Sequence, residues 1–165
     1  MRKKHFKTNR GFTLIEMLVY LALFGILMSG VVITAYGIFE SGNRNSAKIM
    51  MQEEGNFLMA KIGWALSSIS SINSPSVSSS SSTLSVLRVD ATTIEIKQSG
   101  KDITMTRGGI TQTLNNSNVS ITNLLFNYTQ NTDTEWVTTS FTLETHTSDG
   151  KIISQKFQSS RYLRK

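Results

Sequence analysis

The sequence contains no cysteine, one proline and two histidines among its 165 residues. Without cysteine there is no disulfide framework, no thiolate nucleophile and no iron–sulfur or thiolate zinc site. His5 lies in a basic tail and His146 in a Thr-rich segment, so a His-based metal site or catalytic triad has few partners available. We therefore predict no enzymatic activity, no metal and no cofactor.

Positive charge is concentrated at the beginning of the chain. The net charge is +6, and five basic residues occur in the first ten positions, without an acid among them. A short basic stretch before an apolar run is typical of an export signal, and the positive-inside rule predicts that it stays cytoplasmic while the following chain is translocated. A disordered basic tail is the alternative. The five residues are Arg2, Lys3, Lys4, Lys7 and Arg10.

A long apolar run follows. The 23 residues from Met17 to Phe39 carry no charge, and as a helix they would extend roughly 34 Å, enough to cross the hydrocarbon core of a bilayer. A cleaved secretory signal would have a shorter apolar region. A buried helix of a soluble protein would need more surrounding chain than the remainder provides. The run predicts a single membrane span.

One acid, Glu16, lies at the start of this span, where an ionised carboxylate costs up to about 2.5–3.5 kcal/mol if it is carried to the bilayer centre. Its context, "RGFTLIE", resembles the processing site of type IV pilins and pseudopilins. The resemblance implies that a prepilin peptidase cuts after Gly11 and methylates the new N-terminus at Phe12. Many members of that family have a proline inside the span, whereas here only Gly25, Gly30 and Gly37 could soften the helix.

Cleavage would place a positive amino group on Phe12, at a helix start where the macrodipole also favours a nearby acid. In a bundle of such helices, Glu16 of one subunit and the Phe12 amine of the next would neutralise each other. The resemblance thus implies a polymer of pilin or pseudopilin subunits in which this pairing sets the axial register.

The helical pattern continues beyond the span. Apolar residues recur at spacings of three and four on one face, which predicts packing on the C-terminal domain. A second stripe, Met50, Phe57 and Trp64, is a candidate contact with neighbouring subunits, although core packing is an equal alternative for both stripes. The first stripe consists of Met51, Gly55, Leu58, Ile62, Leu66 and Ile69.

Residues 67–85 contain twelve serines and the one proline, Pro75. This composition predicts a flexible linker or exposed loop. After it, short runs rich in Ile, Val and Thr alternate with polar residues and predict strands. The runs are "LSVLRV", "TIEIK", "DITMTR", "ITQTL", "VSITNLLFNY", "WVTTSFTLETH" and "KIISQKF".

Turn signals separate these strands and predict hairpins, at Ser99–Gly100, Gly108–Gly109, Asn115–Asn116 and Asp149–Gly150. The predicted fold is α+β: a long N-terminal helix, transmembrane in its first half and amphipathic in its second, packed on a C-terminal antiparallel β-sheet. The chain divides into a cleaved leader (1–11), a transmembrane and polymerisation helix (12–39), an amphipathic extension (40–70), a Ser-rich linker (71–85) and a sheet domain (86–165).

Two ligand hypotheses are weaker. Asp133, Glu135 and Asp149 could share a calcium ion, but exposed loop acids are usually only solvated. The C-terminus is basic and contains Phe157 and Tyr162, which suggests DNA contact. However, twelve basic and eleven acidic residues remain once the leader is removed, too little charge for strong DNA binding, and a basic edge strand is the better interpretation.

Two function classes remain open. The first is a structural subunit, a minor pilin or pseudopilin of a type IV pilus, type II secretion or competence filament, anchored in the bacterial inner membrane with its C-terminal domain outside the cytoplasm. The second is a binding module for DNA or a surface ligand, tethered by an uncut signal anchor. The N-terminal residue of the mature chain distinguishes them.

Overall fold

The chain forms one long helix followed by antiparallel strands, which confirms the predicted α+β class. In the computed structural model, residues 11–147 and 150–163 are described, so most of the predicted leader lies outside the described residues. Two compact units meet within the helix, one up to Gly42 and one from Asn43 onward. The elements are α1 (Leu14–Ala65), β1 (Ile69–Ser74), β2 (Ser79–Ser81), β3 (Thr83–Arg88), β4 (Thr93–Ser99), β5 (Asp102–Arg107), β6 (Ile110–Thr113), β7 (Ser120–Gln130), β8 (Glu135–His146) and β9 (Ile152–Tyr162).

The described residues of the first unit are the beginning of α1 and the three residues before it. Their side chains are almost all exposed, including large apolar ones such as Leu27 and Phe39. The helix is long and apolar enough to cross a membrane. Because a helix that is apolar on every side is stable only in an apolar environment, this finding fits the predicted span.

The second half of α1 supplies one wall of the core of the second unit. Met51, Leu58, Ile62 and Ala65 are buried there, as the first apolar stripe predicts. Gly55 belongs to the same stripe and lies against the ring of Phe157, so closely that a β-carbon on Gly55 would overlap the ring. Glycine at this position therefore permits close contact between the helix and strand β9.

The strands form two sheets rather than the single meander predicted from the alternating pattern. One sheet has five strands in the order β1-β3-β4-β5-β6, and the other has four in the order β2-β7-β8-β9. Inward-facing apolar residues from both sheets join the helix stripe in one core, among them Val86, Ile96, Phe126 and Phe141. All seven strands predicted from alternation are present, as β3 to β9.

The predicted turns are partly confirmed. Gly100, Gly108 and Gly109 have positive φ in the β4–β5 and β5–β6 hairpins, and the second of these is a two-residue turn closed by the Arg107–Ile110 pair. The hairpin predicted at Asn115–Asn116 is wrong, because β6 and β7 belong to different sheets. Asn115 is instead buried, and its side-chain oxygen accepts the Ile103 N–H at 2.8 Å.

The predicted boundaries around the serine-rich segment also need correction. The helix ends at Ala65 and not at 70: the Ser67 hydroxyl donates a hydrogen bond to the Trp64 carbonyl at 2.6 Å, and Ser68 adopts a positive φ of 54°. Residues 71–85 are not a structureless linker: they contain most of β1, all of β2 and the start of β3. Serine joins a sheet here through its backbone, while Ile69 and Leu84 provide the buried side chains.

Candidate functional site

The bond between Gly11 and Phe12 lies outside the helix. Residues 11–13 have no regular secondary structure, and α1 begins at Leu14. Gly11 and Phe12 are both exposed. The predicted cleavage position therefore lies in an exposed, non-helical segment, the kind of segment at which proteolysis concentrates.

Thr13 caps the helix. Its hydroxyl oxygen accepts the backbone N–H of Glu16 at 3.3 Å, and its carbonyl accepts the N–H of Met17. This satisfies one of the amides that are unpaired at a helix start. The spacing Thr-x-x-Glu is the sequence signature of a capping box. The letters "TLIE" carry this signal, so the cap at Thr13 could have been predicted from the sequence.

The carboxylate of Glu16 makes few hydrogen bonds to the described residues of its own chain. Within the described residues it accepts one hydrogen bond, from the hydroxyl of Tyr20, at 3.3 Å. This distance is long for an O–H···O bond, and a carboxylate has about four acceptor positions. The ring of Phe12 contacts Tyr20 edge-on, with centroids 6.4 Å apart. Phe12, Glu16 and Tyr20 thus lie together at the start of the helix, with acceptor capacity left on Glu16.

A second feature lies in the other unit, beside the second half of α1. Phe57 and Trp64, from the second predicted stripe, are 46% and 38% exposed. They line a groove of about 570 Å³ between the helix and strands β5 and β6. Met50, the third member of that stripe, is partly buried against the core instead. The groove is lined by Phe57, Ala60, Lys61, Trp64, Met105, Arg107, Ile110 and Gln112.

Cations surround the aromatic rings of this groove. The guanidinium carbons of Arg88 and Arg107 lie 4.8 and 5.5 Å from the ring centroid of Trp64, and the ammonium of Lys61 lies 5.4 Å from that of Phe57. These are cation–π distances. A backbone hydrogen bond from Thr92 holds the pKa of nearby Asp90 below its usual value, and the charges of Arg88 and Arg107 lower it further.

The described residues contain no group of three acidic or histidine side chains arranged to hold a metal ion. Glu135 accepts hydrogen bonds from Tyr128 and Gln130, at 3.0 Å each. Asp149, the third residue of the hypothetical calcium site, lies outside the described residues, so that hypothesis stays open.

The basic C-terminal segment forms β9, an edge strand of the four-stranded sheet, as predicted. Lys156 and Arg161 lie on this strand, while Arg164 and Lys165 lie outside the described residues. Phe157 is buried and stacks on Phe141 with centroids 5.5 Å apart, so it is not exposed for stacking on a nucleic acid base.

By architecture this is an α+β protein. Its one long N-terminal helix is apolar enough to cross a membrane, and the second half of that helix packs on antiparallel sheets. Residues 6–32 match the family model of the prokaryotic N-terminal methylation motif, the signature of type IV pilins and pseudopilins. The match spans part of the predicted leader, the predicted cleavage position between Gly11 and Phe12 and the first part of the helix. No curated protein and no solved structure matches the chain.

Proposed function

We propose that this chain is a structural subunit, a minor pilin or pseudopilin, of a filament of the type IV pilus, type II secretion or competence kind. The methylation motif supports a type IV pilin-like subunit. The observation that carries the finer proposal is the arrangement at the helix start, where an accessible Gly11–Phe12 bond precedes a capped helix with a lightly bonded Glu16.

The proposed sequence of events begins in the inner membrane, with the N-terminus inside and the strands outside the cytoplasm. A prepilin peptidase cuts after Gly11 and methylates the amine of Phe12. The new ammonium group of Phe12 and the carboxylate of Glu16 each cost free energy if they remain unpaired in an apolar environment. Glu16 of one subunit therefore pairs with the Phe12 amine of a neighbour, and repetition of this contact builds the filament.

The exposed apolar surface of the first unit supports the same proposal. Large side chains such as Leu21 and Ile33 are more than half exposed. In the membrane they contact lipid, and in a filament they would contact equivalent helices. A non-catalytic role stays a prediction that rests on the absence of cysteine and the scarcity of histidine.

Replacement of Glu16 by alanine tests the docking role. The span stays apolar, so we expect normal membrane insertion but loss or strong reduction of incorporation into filaments, measured by immunoblotting of sheared or cross-linked filament fractions from the host. Glu53→Ala removes an exposed acid from the same helix outside the span and should leave incorporation unchanged. Normal incorporation of the Glu16 variant would contradict the proposed pairing.

The alternative function is a binding module on an uncut anchor, for which the groove beside Phe57 and Trp64 would be the ligand site. In that case the mature protein keeps Met1, and Glu16→Ala has no assembly phenotype. Both functions could use the groove, so its occupancy does not discriminate them, whereas the N-terminal residue does.

A further inference from the structure

The two sheets have four edge strands, and β6 differs from the other three. Strand β1 pairs irregularly with β3, with two register shifts, β2 has only three residues, and β9 carries Lys156 and Arg161. Bulges, shortness and charge are devices that prevent edge strands from pairing with other chains. Strand β6 is also short, with four residues, but they are uncharged, regularly paired on one side and all exposed.

The groove lies beneath this edge. Ile110 and Gln112 alternate along β6 and project to the same side of the sheet, toward Phe57 and Trp64 of the helix. Ile110 is 68% exposed, although it lies beside other apolar side chains. A strand added next to β6 would place alternate side chains into this groove and could cover Ile110.

The groove is also cationic. Among residues 11–147 and 150–163, no carboxylate forms an ion pair with Lys61, Arg88 or Arg107. The nearby acid Asp90 accepts the N–H of Thr92 and interacts with Arg88 and Arg107 at longer range, so it offsets only part of this positive charge. The Nε of Arg88 is buried and has no hydrogen-bond partner in the described part of the chain. Positive charge next to an apolar groove is complementary to a ligand that carries both acidic and apolar side chains.

We propose that β6 and the groove beneath it bind an extended, acidic segment of another protein, which adds to the five-stranded sheet as a sixth strand. Backbone hydrogen bonds to Ile110–Thr113 supply affinity, and an apolar side chain in the groove with an acidic one beside Lys61 or Arg107 supplies specificity. The open sheet edge and the apolar lining favour a peptide over a nucleic acid. This inference concerns the second unit and does not depend on the pairing of Glu16.

Peptide binding to the full chain in lipid nanodiscs tests the proposal. The chain has two tryptophans, so a Trp136→Phe background makes the fluorescence report on Trp64 alone. The probes are the peptide TVTETVT, whose valine and glutamate side chains project to one face of an extended strand, its lysine counterpart TVTKTVT, both with blocked ends, and an oligothymidylate of eight nucleotides. We expect the acidic peptide to change Trp64 emission saturably and to slow amide hydrogen exchange at residues 110–113, with the lysine peptide at least about tenfold weaker.

Charge reversal in the groove provides the matched variants. Lys61→Glu and Arg107→Glu should each weaken binding of the acidic peptide by about tenfold, and Lys61→Glu decides the matter if the other variant does not fold. Lys101→Glu makes the same charge change at an exposed position in the β4–β5 turn and should leave binding unchanged. The proposal is overturned if neither peptide binds, if both bind equally, if the oligothymidylate binds more tightly, or if the acidic peptide binds without protecting residues 110–113.

Discussion

The two halves of α1 share one continuous backbone but have opposite surroundings. Gly25, Gly30 and Gly37 in the first half have no neighbouring atom where a side chain would begin, whereas Gly55 and Gly63 in the second half lie against Phe157 and Arg161. Leucines follow the same division, with Leu27 exposed and Leu58 fully buried. The second half therefore packs within its own chain, whereas the apolar side chains of the first half are exposed and, under the proposed function, contact lipid or other chains.

The largest difference expected between the two halves is in the free energy of unfolding after one leucine in each half is replaced by alanine. Leu58→Ala should lower the free energy of unfolding of the strand-containing unit by about 2–5 kcal/mol, because it removes fully buried atoms and leaves a cavity. Leu27→Ala should leave that free energy unchanged, since Leu27 is exposed and does not belong to that core. Urea unfolding of the full chain in detergent, followed by tryptophan fluorescence, measures both. Equal losses would mean that the halves are not energetically distinct.

Paired glycine substitutions should give a smaller contrast with opposite signs. Gly55→Ala forces a methyl group into the ring of Phe157, and such overpacking costs about 1–3 kcal/mol, more than the roughly 1 kcal/mol that alanine gains over glycine in a helix. Gly42→Ala meets no neighbouring atom, so helix propensity alone should act and stability should rise slightly. Thermal unfolding of the two variants under identical conditions checks the signs, and a stabilising Gly55→Ala would contradict the close contact.

The smallest expected difference in unfolding free energy is between variants of two adjacent acids in the second half of the helix. Glu54 accepts the backbone N–H of Asn116 at 2.8 Å, a contact between the helix and the loop after β6. Glu54→Ala should therefore cost about 1 kcal/mol of unfolding free energy. Glu53→Ala, one residue away and exposed, should change it by less than about 0.5 kcal/mol. Chemical denaturation resolves the difference, and indistinguishable midpoints would show that the Glu54 contact contributes nothing.

Local patterns predicted much of this architecture. Alternation identified β3 to β9, and spacings of three and four identified the buried face from Met51 to Ile62, because both signals repeat over many residues. Strands β1 and β2 were missed because serine is uninformative about strand formation and these strands are fixed by partners distant in sequence, such as the pairing of Ser80 with Asn127. The division into two sheets depends on the same long-range pairing.

The candidate sites could likewise be predicted only where their residues lie close together in the sequence. Gly11, Phe12 and Glu16 are contiguous, so a local motif could predict them, and Thr13 could have been added from its capping-box spacing. The groove could not be predicted in full. Phe57 and Trp64 were identified as an exposed stripe, but Arg88 and Arg107 reach Trp64 from strands β3 and β5, and only tertiary structure places those cations around one ring.

The central claim is that the first half of α1 becomes the assembly surface of a filament after its leader is removed. Mass spectrometry of the N-terminal peptide, from protein isolated from the membranes and filaments of its own host, tests this claim most directly. We predict a chain that begins with N-methylated Phe12. A chain that still begins with Met1, with the Gly11–Phe12 bond intact in every fraction, would contradict it.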